Sequence, residues 1–276
     1  MKLDGRAIAA EIIESLQKRT AKLISRKTIP HLLIIMTLDD PQTEAYIRQK
    51  LLRAKQIGAK VTLKRTSQKI SQEKLLEIID SANRDRKIHG IIIQRPMPKQ
   101  IDEMAVAETV IVEKDVDGFN PKSKFTAPVA LAVLKFVETA RGEEISEFLK
   151  TRKIAVIGKG TTAGRPTINL LNRLGFSFHI IDSKTPDAER EKILKSSDII
   201  ISCVGKKILS KDDIKSNAFL IGVGMHVEDD KLHGDYDEDD IKDKVSFYTP
   251  TPGGVGPVNV SMLMKNLVEA AENLSK

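Results

Sequence analysis

The chain has 276 residues, with 45 Lys and Arg against 38 Asp and Glu, a formal charge of +7. Apolar residues are 41% and charged residues 30%, which excludes a disordered chain or a membrane bundle and suits about two globular domains of roughly 150 residues. The cations are interspersed with acids, Trp is absent and aromatics are only 4%, which argues against a nucleic-acid partner bound through basic patches and stacking platforms.

Lys2, Asp4, Arg6, Glu11 and Glu14 open the chain, too many charges for a signal peptide. Asp4 is placed to cap a first helix whose apolar stripe is Ile8, Ile12, Ile13 and Leu16. Leu32–Met36 reads as a buried strand, Thr43 to Gly58 as a helix, Val61–Leu63 as a strand. A helix beginning near Ser71 carries Leu75, Leu76, Ile78 and Ile79, and Ile91–Ile93 is the next strand, ending at Gln94 and the turn Pro96-Met97-Pro98. This βαβαβ pattern with continuous β-branched strands predicts a parallel sheet covered by helices.

A second set follows the charged stretch Arg141-Gly142-Glu143-Glu144: strands at Ile154–Ile157, Phe178–Ile181, Ile199–Ser202 and Phe219–Ile221. Cys203, beside the third of these, is the single cysteine, so no intramolecular disulfide forms and a reducing, cytoplasmic location is expected. A final helix from Val260 to Leu274 follows the Pro- and Gly-rich segment Pro250–Pro257. No apolar run approaches the ~18 residues of a spanning helix, so no membrane partner is expected. The fold class is α/β in two domains with a boundary near 140. The first, 1–140, is joined by the terminal helix, 258–276, and the second, 141–257, is Rossmann-like.

Gly158-Lys159-Gly160-Thr161-Thr162-Ala163-Gly164 lies between a strand and a helix. There glycines let the backbone approach a pyrophosphate that the helix N-terminus stabilises; a tight turn without ligand is the competing reading. Tyr46 and Lys50 are i and i+4, on one helix face, where a lysine desolvated beside a ring suits proton transfer, although a surface Lys lying over a Tyr is common. Gln94 ends a parallel strand, where open α/β sheets bind ligands. Lys114-Asp115-Val116-Asp117-Gly118-Phe119 is an acidic turn whose plain reading is an Asp bonded to its own backbone. Pro250–Pro257 reads as a rigid loop exposing backbone groups. His31, His89, His179, His226 and His233 show no ligand spacing, so no metal is expected.

These segments together, over essentially the full chain, resemble the methylenetetrahydrofolate dehydrogenase/cyclohydrolase family. The resemblance is carried by Leu3-Asp4-Gly5, Tyr46 with Lys50, Gln94–Pro98, Lys114–Phe119, Gly158–Pro166, Asp182–Thr185, Val223-Gly224-Met225, Gly234-Asp235 and Pro252–Pro257. Departures from the family pattern stand at Arg95, Thr126–Ala130 (with Ala127), Gly222 and Val258-Asn259. The resemblance implies two reactions in one cleft between the domains. Methylenetetrahydrofolate gives a hydride to NAD(P)+, and water then opens the methenyl product to 10-formyltetrahydrofolate, in one-carbon metabolism.

By resemblance, Lys50 manages protons at the folate nitrogens, Gln94 holds its ammonium, and Tyr46 stacks on the p-aminobenzoyl ring. Asp117 accepts from the pterin, and Pro252, Gly253, Gly254 and Val255 close over the folate, whose tail is open to polyglutamylation. Gly158, Lys159, Gly160, Thr161, Ser183, Lys184 and Met225 hold the coenzyme, and a homodimer forms through the nucleotide domain. Asp182, 22 positions after Gly160, favours NAD, whereas Lys159, Ser183 and Lys184 suit a 2′-phosphate. NADP is the expected coenzyme, with NAD used more weakly. A shikimate dehydrogenase-like oxidoreductase shares the fold without requiring this motif set, and a basic nucleic-acid-binding α/β protein would account for the charge.

Overall fold

Gly5–Ser25 forms α1, His31–Met36 β1, Pro41–Gln56 α2, Lys60–Arg65 β2, Gln72–Arg84 α3, Gly90–Ile93 β3 and Glu103–Thr109 α4. Pro128–Arg141 is α5, Ile145–Lys150 α6, Ile154–Ile157 β4, Gly164–Arg173 α7, Phe178–Ile181 β5, Asp187–Ser196 α8, Ile199–Ser202 β6 and Phe219–Gly222 β7. Met225–Glu228 (β8) and Lys231–Gly234 (β9) make a hairpin; Glu238–Ile241 (α9), Phe247–Tyr248 (β10) and Val255–Leu274 (α10) complete the chain. The computed structural model describes residues 1–38, 41–141 and 145–275, with only the backbone of 41 and 42. The Gly142–Glu144 part of the expected charged stretch lies outside the described residues. Among them, no helix is long and apolar enough to cross a membrane.

Contacts divide the chain into two units, neither of them continuous: 10–128 with 260–276, and 1–9 with 129–259. The division falls at 128/129 rather than near 140, so α5 groups with the second unit, as do the first nine residues.

The first unit holds a parallel sheet of order β2-β1-β3. β1 is buried along its whole length, the expected consequence of helices on both faces. Ser71 caps α3, its side chain accepting from Lys74 N. One core joins Leu16, Leu32, Ile34, Ile92 and Val116 to Leu263, Leu267 and Val268 of α10.

The second unit holds a parallel sheet of order β10-β7-β6-β4-β5. Beside β10, Leu3 N donates to Tyr248 O at 2.9 Å and Tyr248 N to Met1 O at 3.1 Å, extending the sheet. Asp4 caps α1 as expected, accepting from Arg6 N at 2.8 Å. Gly5 is required there: a Cβ would lie 1.9 Å from Gly254 O.

The terminal helix begins at Val255, five residues before the expected start at Val260. Val255, Gly256 and Pro257 are therefore helical rather than loop. Pro257 sits in the first turn, where no intrahelical partner awaits its missing N–H.

Candidate active site

In each sheet the chain reverses direction of winding beside its first strand, β1 flanked by β2 and β3, and β4 flanked by β5 and β6. Ligand sites in such sheets lie off the carboxyl ends of the strands at this reversal. Gln94 follows β3 in the first unit, and Gly158 and Asp182 follow β4 and β5 in the second, whereas Met225 and Pro252–Val255 come after β7 and β10, away from that reversal.

In the first unit, α2 carries Tyr46 and Lys50 one turn apart, and β3 runs directly into Gln94. Lys50 Nζ donates to Gln94 Oε1 at 2.9 Å, while Gln94 Nε2 donates to Arg95 O at 2.8 Å. The second bond fixes which end of the amide meets the lysine. Desolvation holds Lys50 below the usual lysine range, against the opposing charge of Asp117. Burial likewise raises the Tyr46 phenol and raises Asp117, whose rise is opposed by Lys50 and Arg95. A half-buried ammonium and carboxylate thus sit within electrostatic reach, each pushed toward neutrality by lost water.

The Lys114–Phe119 turn divides its labour. Lys114 Nζ donates to Ala82 O, Asn83 O and Asp85 O at 3.1, 2.8 and 2.7 Å, closing the C-terminal end of α3. Asp115 accepts from Phe119 N at 3.3 Å and Asn120 N at 2.9 Å, the backbone-bonded Asp of the plain reading. Val116 is fully buried and Gly118 has φ +71°. Only Asp117 keeps its carboxylate clear: no donor among the described residues bonds it. Arg95, a departure from the family pattern, stacks its guanidinium 4.2 Å from the Phe119 ring centroid and pairs with Glu103.

In the second unit, the turn after β4 and the turn after β5 are neighbours, since Ile157 pairs with Ile181. Gly158 has φ +86°, and a Cβ on Gly164 would lie 2.1 Å from Gly158 O, so the helix packs directly on the turn. A Cβ on Gly160 would meet nothing within 4 Å. Ala163 precedes the ten-residue α7 without a side-chain cap, leaving the first amides of the helix without an internal carboxylate or hydroxyl. An open glycine beside an uncapped helix N-terminus fits a dinucleotide pyrophosphate.

Lys159 Nζ lies 2.6 Å from Asp182 Oδ2. Asp182 also accepts from Lys184 N at 2.8 Å, so Lys159, not the Lys184 side chain, takes its charge. That bond to Lys159 lowers the Asp182 carboxyl. Thr161, Ser183 and Lys184 are exposed around this pair. Met225 packs its backbone against Gly205, where a Cβ would lie 2.9 Å from Met225 O.

Sequence reasoning gave Asp235 no role beyond its motif. Buried, it accepts from Ser202 Oγ, Val204 N, Gly205 N and Lys206 N at 2.5, 3.1, 2.6 and 3.0 Å, which sets the loop after β6. Gly222, another departure from the family pattern, leaves room for the Tyr236 ring, which a Cβ would meet at 2.9 Å.

The Pro252–Val255 backbone is less open than expected. Pro252 is exposed and Gly253 half-buried with φ +103°, but Gly254 and Val255 are buried. A Cβ on Gly254 would lie 2.4 Å from Pro250 O, so the chain itself already fills the space beside its Cα.

Residues 3–117 match the tetrahydrofolate dehydrogenase/cyclohydrolase catalytic domain, and residues 128–275 match the NAD(P)-binding domain of the same family. The bifunctional protein FolD of Listeria innocua is 33% identical over 285 residues, covering 99% of this chain and 98% of that protein. The crystal structure of the Campylobacter jejuni bifunctional FolD superposes with a TM-score of 0.92 at 31% identity, covering 99% of each chain. The Trypanosoma brucei dehydrogenase-cyclohydrolase, solved with NADP cofactor and inhibitor, has a TM-score of 0.91 at 28% identity, covering 99% of this chain and 97% of that one. With both domains matched across nearly its full length, the chain belongs to the tetrahydrofolate dehydrogenase/cyclohydrolase family.

Proposed function

We propose that Lys50, Gln94, Asp117 and Tyr46 form the folate site of a bifunctional enzyme. It oxidises 5,10-methylenetetrahydrofolate to 5,10-methenyltetrahydrofolate with NADP+ and hydrolyses the product to 10-formyltetrahydrofolate. The observation that carries this reading is the Lys50–Gln94 hydrogen bond of 2.9 Å, made by a lysine whose charge desolvation disfavours.

Bound NADP+ supplies the hydride acceptor, leaving the folate as an amidinium cation. Hydrolysis then needs a proton taken from water as its oxygen attacks the bridging carbon, and a proton given to the nitrogen that leaves. Lys50 suits both roles, since its lowered pKa brings the amine nearer to ambient pH. Gln94 orients it by accepting one ammonium hydrogen.

Asp117 is assigned to the pterin's amino and ring N–H groups, a charge-assisted pairing that its unoccupied acceptor capacity supports. Tyr46 is assigned to the p-aminobenzoyl ring, supported by its place one helical turn from Lys50. Pro252, Gly253, Gly254 and Val255 are assigned to the folate by resemblance; the exposure of Pro252 and the left-handed Gly253 support the first two best. Residues 10–128 with 260–276, which carry Tyr46, Lys50, Gln94 and Asp117, are read as the folate unit, and 1–9 with 129–259, which carry Gly158, Lys159, Ser183 and Lys184, as the nucleotide unit.

Lys159, Ser183 and Lys184 are assigned to the 2′-phosphate, and Gly158, Gly160, Thr161 and Met225 to the rest of the coenzyme, supported by the uncapped start of α7. A cytoplasmic homodimer through the nucleotide unit is part of the reading. The single Cys203, whose thiol burial pushes up to about 12, fits a reducing compartment. The edge strand β5, with Ile180 42% exposed, offers an apolar surface to a second copy.

The test mixes purified protein with methylenetetrahydrofolate and each coenzyme and follows methenyl and formyl products spectroscopically. Absence of both products with both coenzymes overturns the reading.

A further inference from the structure

Asn266 stands on α10 among Met262, Leu263, Met264, Leu267 and Val268, all buried, and is itself 3% exposed. An amide in such company must find partners or bear the cost of lost hydration. Its Nδ2 donates to Val116 O and to Thr126 O, both at 2.9 Å.

Both acceptors flank one residue pair. Val116 directly precedes Asp117, and its side chain is wedged against Gly90, where a Cβ would lie 2.9 Å from its methyls. Thr126 directly precedes Ala127, whose backbone presses on Gly118: a Cβ there would lie 2.6 Å from Ala127 N. One amide thus holds the chain entering Asp117 and the chain that backs Gly118. Lys114 and Asp115 brace other parts of the turn, the end of α3 and the amides of Phe119 and Asn120. Asp117, bonded by no donor among the described residues, takes its direction from this backbone.

We propose that Asn266 is a positioning residue for folate recognition, acting through Asp117. The inference rests on the reading of Asp117 as the pterin acceptor.

A double-mutant cycle tests it. Tetrahydrofolate and NADP+ binding are measured by calorimetry for the wild type, Asn266→Ala, Asp117→Asn and the double variant. Asn266→Asp serves as an isosteric second variant that turns an acceptor toward the two carbonyls. Both Asn266 variants should weaken tetrahydrofolate about tenfold, the size of one to two hydrogen bonds, with NADP+ affinity within about twofold. In the Asp117→Asn background Asn266→Ala should add less than about twofold, because coupled residues are not additive. The inference fails if the loss is the same in both backgrounds, if tetrahydrofolate and NADP+ are weakened alike, or if Asn266→Asp binds like wild type. If Asp117→Asn alone binds tetrahydrofolate like wild type, the reading of Asp117 fails, and Asn266 with it.

Discussion

The Lys159 ammonium and the Asp182 carboxylate meet at 2.6 Å across two adjacent strand ends. The ion pair is exposed on the lysine side, where water screens it. On the proposed reading a 2′-phosphate competes for Lys159 with a weakly held partner, while Asp182 alone would suit the hydroxyls of an unphosphorylated ribose.

The coenzyme preference follows. The wild type should show a higher kcat/KM with NADP+ than with NAD+. Lys159→Ala should lose about tenfold or more with NADP+, as befits a charge-assisted bond of about 1.5–3 kcal/mol, and much less with NAD+. A wild type that prefers NAD+, or equal losses with both coenzymes, would sink the assignment.

Lys50 should separate the two activities. Hydride departure moves no proton, whereas hydrolysis does. Lys50→Met keeps much of the stem but removes the amine, so methenyltetrahydrofolate hydrolysis should fall by at least about a hundredfold, the usual scale for a general acid–base. Hydrolysis within a few-fold of wild type would refute this role.

Asp117→Asn preserves shape but aims an amide donor at the pterin's donors. Folate binding should weaken by about 2–5 kcal/mol, the cost of breaking a buried charged pair on one side. Coenzyme affinity should hardly change; equal loss of both in titrations would assign Asp117 to the fold alone.

His31 and His89 give a stability signature in acid. His31 Nδ1 lies 3.1 Å from Lys87 O and Nε2 lies 2.8 Å from Thr62 Oγ1, while His89 Nδ1 accepts from His31 N at 3.2 Å. These roles suit neutral rings, and burial holds both below the usual histidine range. Above about pH 6.5 the rings are neutral folded or unfolded and cost nothing. As the pH falls below that, the unfolded chain binds protons first, so stability drops by at most about 1.4 kcal/mol per pH unit for each ring. His89→Gln, compared with wild type in urea melts at pH 7.5 and 5.5, should flatten this dependence. An unchanged difference between the two pH values would show that the histidine contributes nothing.

The strands were legible because their apolar runs are unbroken: Ile91–Ile93 and Ile154–Ile157 need no tertiary information to be recognised. Tyr46 and Lys50 were visible as an i, i+4 pair and Gln94 as the end of a strand, while the roles proposed for them and for Asp117 came from the family resemblance and not from spacing. The β8–β9 hairpin was not, because its turn is Asp229-Asp230, both at positive φ (50° and 57°), in place of the usual Asn-Gly or Asp-Gly signal. The early start of α10 was hidden by reading Gly256 and Pro257 as breakers, although a first turn tolerates both. Asn266 carried a faint signal, an amide in an apolar stretch, but only the fold reveals which carbonyls it serves. The Lys159–Asp182 pairing needed the register of β4 against β5.

The placement of α10 has a consequence for how this protein is made. Leu263, Leu267 and Val268 complete the core around Leu32, Ile34 and Ile92, yet they are translated more than a hundred residues later. The three-stranded sheet therefore leaves the ribosome with this apolar face only partly covered, by α1 and the end of α2, and waits for nearly the whole polypeptide before it is sealed. Such long-range closure slows folding and leaves the nascent chain open to aggregation. It also means that a fragment cut after residue 128 is not a smaller version of the folate unit but one with its lid still unsynthesised.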